Sequence, residues 1–254
     1  MLPFLKSVRA NALLGLLLVA LTGCAVRPLA PDQLARIRTI GIVAAVDEHV
    51  ARDSIALIAF GNEITHGDVS AWQLNTEIAA ALQKTLAGHY QTEILVADTT
   101  PEHGRGNLLA ANLGMLLAPK GMSDQDRVRT AIKPGQAPVD AYLVVTSEEA
   151  PEFAGTNQTV SGLTVWSYLT TPVAAAPLRV SLLDGTTLTT LATYYAPAND
   201  PRFRAPSEML PDSMKHDRWE DYSPAEQAEL HEVFRRVVIS AIDRSLELAG
   251  LTTH

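Results

Sequence analysis

The chain has 254 residues, 47% of them hydrophobic, and carries 28 Asp+Glu against 20 Lys+Arg for a formal net charge of −8. Length and apolar content of this order supply one sizeable core, and an acidic chain without a basic, aromatic-interleaved run argues against a nucleic-acid partner. One cysteine in the whole sequence excludes an internal disulfide.

The first element is a leader. Lys6 and Arg9 precede an uncharged apolar run from Ala12 to Leu21, and the small residues Thr22 and Gly23 follow. A positive start, a short apolar stretch and small residues before a cut site are the parts of a secretory signal peptide. The run is well short of the ~20 apolar residues that a spanning helix needs. Leu21-Thr22-Gly23-Cys24 resembles the bacterial lipobox, in which an aliphatic residue, a small residue and Gly or Ala precede Cys. The resemblance covers residues 1–24. It implies cleavage between Gly23 and Cys24, diacylglycerol on the Cys24 sulfur, and acylation of the new amino group, with palmitate among the chains. Two or more such chains anchor stably, at roughly 0.8 kcal/mol per buried CH2. Similar lipoproteins kept at the inner membrane carry Asp after the cysteine. Ala25 stands there, which points to the outer membrane, periplasmic side. An ordinary cleaved signal with an incidental cysteine is the alternative. A catalytic thiolate would need a folded, electropositive setting that the end of a leader does not provide.

Cleavage removes two cations and no acids, leaving 18 Lys+Arg against 28 Asp+Glu, a net −10. Residues 24–35 read as a short tether, "AVRPLAPDQLA" after the cysteine. Fully extended, those eleven residues reach at most roughly 40 Å. The folded part, 36–254, is therefore expected close to the bilayer. The compartment is oxidising, yet core burial alone has to hold this domain together.

Arg36 to Val46, "RIRTIGIVAAV", reads as a buried strand and Ser54 to Gly61 as a second, with a polar loop between them. Leu74, Ile78, Leu82 and Leu86 recur every fourth residue and put an apolar stripe on a helix. Ser70 and Gln73 have capping-box spacing at its start, and Gly88 stands where a left-handed C-terminal cap is expected. Gln91 to Asp98 follows as a strand, completing a strand–helix–strand unit. Leu109, Leu113, Leu116 and Leu117 have helical spacing, which Gly114 weakens. Ser123 and Asp126 cap a short helix ending before Pro134. Val139 to Glu148 and Thr159 to Leu169 read as strands. Leu178 to Ala196 splits into two strands about Asp184-Gly185, a tight-hairpin signal. Residues 196–223 lose periodicity and hold four prolines, which stop both helix and ladder. Ser223, Pro224 and Glu226 mark the start of a long last helix and Gly250 its end. Its apolar face is Leu230, Val233, Phe234, Val237, Val238, Ala241, Ile242 and Leu246.

This order predicts one α/β (α+β) domain: a mixed sheet with antiparallel C-terminal strands, helices packed on it, and a long C-terminal helix. An irregular loop at 196–223 interrupts it.

The sequence carries little recognisable chemistry. The G-x-S-x-G elbow is absent at Ser161-Gly162. The seven histidines, His49, His66, His89, His103, His216, His231 and His254, form no H-x-H or H-E-x-x-H pattern. No catalytic residue, metal ligand or cofactor is therefore assigned. His66 and Asp68 in "THGDVS" suit a polar turn entering a helix, and they are the residues a hydrolase reading would use. His103 lies in a Gly-rich loop that lacks the lysine of a phosphate cradle. Glu148, Glu149 and Glu152 follow a buried strand, where solvation explains them as well as function does. Loops beyond ~12–15 residues tend to be functional, and the 196–223 loop gathers Phe203, Arg218, Trp219 and Tyr222. Aromatics flanked by charges suit a protein-binding hot spot. The alternative is that they fold back over the C-terminal helix.

The lipobox, the strand–helix–strand unit and the "LLDGTTLTTL" hairpin resemble periplasmic lipoproteins that assist envelope assembly and secretion. The curli-secretion lipoprotein, penicillin-binding-protein activators and transport-auxiliary lipoproteins are among these. No family-specific motif accompanies the resemblance, so only Cys24 takes a role from it. The expected function is a lipid-anchored accessory or protein-binding module at the membrane, non-enzymatic, with another envelope protein as partner. A periplasmic hydrolase using His66/Asp68 or the 216–222 loop, and a carrier of a lipid or small apolar ligand, are the alternatives.

Overall fold

The computed structural model describes residues 29–54, 63–96, 122–151, 159–168 and 171–252. In chain order these form a helical turn Pro31–Leu34 (α1), strands Thr39–Ala45 (β1), His49–Ser54 (β2) and Glu63–Asp68 (β3), helix Leu74–Leu86 (α2), strand Gln91–Val96 (β4) and helix Asp124–Ala131 (α3). Strands Ala141–Ser147 (β5), Glu149–Pro151 (β6), Thr159–Ser161 (β7), Leu163–Tyr168 (β8), Thr171–Ala175 (β9), Leu178–Asp184 (β10), Thr190–Tyr195 (β11) and Ser207–Met209 (β12) follow, then helix Pro224–Ala249 (α4). The fold is a mixed α+β domain with antiparallel C-terminal strands and a long C-terminal helix, as the sequence predicts.

One sheet has the order β11-β10-β5-β1-β4 and a second β12-β9-β8-β2-β3. In the first, β4, β1 and β5 are parallel, while β10 and β11 are antiparallel. In the second, β2 and β8 are parallel and the other pairings antiparallel. The chain passes from β1 of the first sheet to β2 of the second at residues 46–48 and from β9 of the second to β10 of the first at residues 176–177, while β6 and β7, paired as a separate two-stranded sheet, stand between β5 and β8. The main core joins inward residues of both sheets, such as Ile42 and Val165, to α2 and α4. Two smaller clusters lie on other faces, one beneath α3 with Val128 and Tyr142, the other about Trp166 and Phe203.

The helices with strong sequence signals form as expected. Leu74, Ile78, Leu82 and Leu86 are all buried, as are the eight apolar positions named for the last helix. Ser223 Oγ accepts from the Glu226 N–H while a Glu226 carboxylate oxygen accepts from the Ser223 N–H at 2.8 Å, and Gly250 closes the helix at φ 71°. Ser123 Oγ accepts from the Asp126 N–H at the start of α3.

Elsewhere local signals give way. The Ser70/Gln73 capping box does not form. The Ser70 N–H donates to Asp68 Oδ1, Ser70–Trp72 makes a 3-10 turn, and α2 begins after Gln73, whose φ is 53°. Gly88 is not a left-handed cap; α2 ends in Ala87 with right-handed backbone, and the Gln91 N–H pairs with the Arg38 carbonyl to enter β4 at once. The polar stretch read as a loop before residue 54 is strand β2, between β3 and β8, because its one buried charge, Arg52, finds acceptors inside. Residues 55–61, read as a strand, lie outside the described residues, as does the helix expected from Leu109 to Leu117. Asp184 and Gly185 do start the turn between β10 and β11, but five residues span it instead of two. Asp184 Oδ1 accepts from the N–H groups of Thr186 and Thr187, and the left-handed residue is Leu188. Gly185 is there for proximity, since a Cβ would sit 1.8 Å from the Val139 carbonyl oxygen. The strand read from Thr159 to Leu169 breaks at Gly162. Strands β9 and β12, short and rich in Ala, Pro and Ser, carry no alternation to announce them.

Candidate functional site

The described residues nearest the expected lipidation point are packed. Cys24 lies outside the described residues, but Leu29 is only 5% exposed and belongs to the main core. Its backbone is hydrogen-bonded to Tyr194. Pro31–Leu34 is helical, with Gln33 Oε1 accepting from the Ala30 N–H, and Leu34 packs at the end of α4 beside Gly250. Packed chain is thus present by the fifth residue after Cys24, inside the stretch read as tether.

The aromatic side chains of the long loop are also inside. Trp219 is 8% exposed, and Tyr222 and Phe203 are 3% exposed each. Trp219 lies edge-on to Trp72 with centroids 6.3 Å apart, and Trp72 stacks on His231 at 5.1 Å and approaches Phe234 of α4. The Trp219 N–H donates to Thr65 Oγ1 on β3 at 2.8 Å. The indole covers Gly67, where a Cβ would lie 1.9 Å from it. The Tyr222 hydroxyl donates to the Met214 carbonyl, while Phe203 meets Trp166 edge-on at 5.7 Å in a separate cluster. Arg218 alone of the four named residues is exposed, with Glu220 at 3.7 Å. The Trp219 and Tyr222 rings are therefore buried in the main core, Trp219 against β3 and Trp72 and Tyr222 against His216.

Of the residues a hydrolase would use, Asp68 and His216 are hydrogen-bonded within the fold, and His66 is exposed. His66 and Asp68 are both exposed on edge strand β3, not in a turn. The backbone and hydroxyl of Ser70 hold the Asp68 carboxyl below its usual range. His216 Nε2 lies 2.9 Å from Glu226 Oε1, and this contact, then those from Ser223, holds the Glu226 carboxyl down to about 2. The His216 carbonyl accepts from Arg52 Nε at 2.6 Å. Arg52, 1% exposed, further donates to the Asp53 and Val165 carbonyls and to Ser167 Oγ. It ties β2, β8 and the loop together. Burial raises the neighbouring Asp53 carboxyl, which Arg52 partly offsets. Nothing in the sequence marks Arg52 as interior, since an arginine beside an aspartate reads as surface.

A second polar cluster has no signature in the sequence because its members are far apart in it. Where β1 leaves the first sheet, Asn75 accepts from the Val46 N–H and donates to the Val46 carbonyl and to Glu48. Ser147 Oγ accepts from the Asp47 N–H, and Asp47 Oδ1 takes both the His49 backbone N–H and its Nδ1 at 3.1 Å. The cluster fixes the crossing from β1 into β2. Glu148 is paired with Arg179, which also holds Asp124 of α3, and Glu149 is exposed; Glu152 and His103 lie outside the described residues.

Two cavities stand out among the described residues. One, of about 40 Å³, lies by Glu148, Pro177 and Tyr195. The other, of about 200 Å³, is lined by Asn199, Glu208, Arg236, Val237, Ser240 and Arg244. Neither is lined by His66, Asp68 or His216. Among the described residues, no cluster of three or more His, Cys, Asp or Glu is disposed to hold a metal, and no helix is long and apolar enough to cross a membrane.

No family model and no curated protein matches the chain. Solved structures overlay on it in part. The DUF330 protein XCC0632 of Xanthomonas campestris is 10% identical, covering 89% of this chain and 94% of its own, with a TM-score of 0.35. Lipoprotein GNA1162 of Neisseria meningitidis is 11% identical over 82% and 99% of the two chains, at a TM-score of 0.29. The hypothetical protein CT253 of Chlamydia trachomatis is 8% identical over 84% and 99%, at 0.33. Overlays at these scores say nothing of what this chain binds or does.

Proposed function

We propose that the mature chain is a lipid-anchored accessory protein of the bacterial envelope, on the periplasmic side of the outer membrane, acting by binding another envelope protein. The observation that carries the reading is the packing of Leu29 five residues after the lipobox cysteine. Five residues reach at most roughly 18 Å, so acyl chains on Cys24 would hold the α1 pole of the domain against the bilayer. A domain so held is confined beside the bilayer, which raises the effective concentration of neighbouring membrane proteins around it.

The test has two stages. Replacing Cys24→Ser should move the protein from the outer-membrane fraction to the soluble periplasm, and a variant that stays in the membrane sinks the anchor. A photo-crosslinking residue at exposed Arg218 or Glu220 in the anchored protein should capture one dominant envelope protein; captures scattered over abundant proteins defeat the binding role. Trp219→Ala is unsuitable for mapping an interface, because the buried ring would be lost from the core.

A further inference from the structure

We propose that the groove between α4 and the β12 edge binds a phosphate group. Arg236, Ser240 and Arg244 recur every fourth residue on α4, so they fall on one side of the helix and line one wall of the 200 Å³ cavity. Asn199 and Glu208 line it from the long loop and β12. The Asn199 amide is already committed, donating to the Ser207 carbonyl at 2.6 Å and accepting from the Ser207 N–H at 2.8 Å. It therefore shapes the wall without needing a ligand.

The two guanidinium groups differ. Arg236 Nη2 donates to Glu208 Oε1 at 2.6 Å. Arg244 has a fully buried Nε with no hydrogen-bond partner. A guanidinium offers five donors in a fixed fork, so Arg244, which lines the groove, has Nη groups to offer an anion although its Nε has no exposed surface. Arg236 and Arg244 line the groove with Glu208 as the one acidic residue of the lining, although Glu232 and Glu229 also act on Arg236 from α4. A tetrahedral phosphate, whose oxygens point in several directions, can take donors from Arg244, Ser240 and Arg236 together, which suits it better than a planar carboxylate. The cavity is smaller than the roughly 300–1,000 Å³ of ordinary small-molecule sites, so it holds a charged head and not a whole ligand.

The phosphate has two sources, a soluble phosphate compound or a phospholipid headgroup. Arg244 lies six residues before Gly250, roughly 9 Å along the helix, and Gly250 is where the tether turn packs. A headgroup would be within reach if the anchor proposed above holds, whereas phosphate binding itself does not depend on it.

The experiment is thermal unfolding of the full-length protein in detergent with increasing inorganic phosphate, against chloride at matched ionic strength. Phosphate should raise Tm saturably beyond the chloride control. Arg244→Gln and Ser240→Glu should each weaken the apparent Kd at least about tenfold, and Ser240 is exposed, so the second variant keeps the fold. Glu208→Gln should tighten binding by freeing Arg236, while Glu220→Gln, the same charge change on another face, should leave it unchanged. Glycerophosphoglycerol, a soluble headgroup diester, separates the sources: tighter binding than inorganic phosphate assigns the lipid, weaker binding assigns a soluble ligand. No response beyond chloride, an equal response in Ser240→Glu, or equal tightening by Glu220→Gln overturns the site.

Discussion

The burial of Trp219 over Gly67 can be tested by a double-mutant cycle. Gly67→Ala adds one methyl on β3 at a point 1.9 Å from the indole, so the ring or the strand has to move. Overpacking of this kind costs about 1–3 kcal/mol. At roughly 2–4 °C per kcal/mol for a domain of this size, Tm should fall by about 4–8 °C for a 2 kcal/mol loss. Trp219→Ala removes a ring that contacts Trp72 and Tyr222, and should cost about 3–5 kcal/mol. The double variant is the decisive one. With the indole gone, the added methyl enters open space, so its cost should vanish or reverse, giving a coupling of about 1–3 kcal/mol. Urea unfolding followed by far-UV circular dichroism reads all four proteins without depending on tryptophan signal. A neutral Gly67→Ala, or strict additivity of the pair, would refute the packing of this loop on β3 and return Trp219 to the surface.

Two further perturbations probe the same region. Arg52→Lys should destabilise by about 2–3 kcal/mol in urea unfolding, because one ammonium cannot meet the three carbonyls and one hydroxyl that the fork serves; a loss below about 0.5 kcal/mol, within the usual range for surface substitutions, would mean Arg52 is solvated. The Glu226 carboxyl is depressed from 4.5 to about 2 in the folded chain, so its contribution is present above pH 4.5 and disappears as pH falls through 2. Glu226→Gln should therefore be less stable than the parent at pH 7, with the gap closing on acidification toward pH 2; a gap constant with pH would remove the charge from the His216 brace.

Much of this architecture was legible in the sequence wherever one segment's own pattern decided the outcome. The 3.6-residue stripe and the caps at Ser123, Ser223 and Gly250 fixed α3 and α4 closely, since those bonds are made within a few residues of chain. The loop aromatics were visible, but not which side they faced, because a Trp beside charges serves a core or an interface equally well. Side-chain polarity misled at residues 49–54, where a buried Arg52 sits in a strand.

Tertiary structure decided what depends on neighbours remote in the chain. It set the continuation of β1 into the second sheet through Asn75 and Ser147, and the seat of Trp219 on Gly67. It also folded Leu29 into the core and set Arg236, Ser240 and Arg244 opposite Glu208. Each of these is a pairing whose partner no local pattern can specify, because the free energy that selects it comes from area and acceptors supplied by another segment.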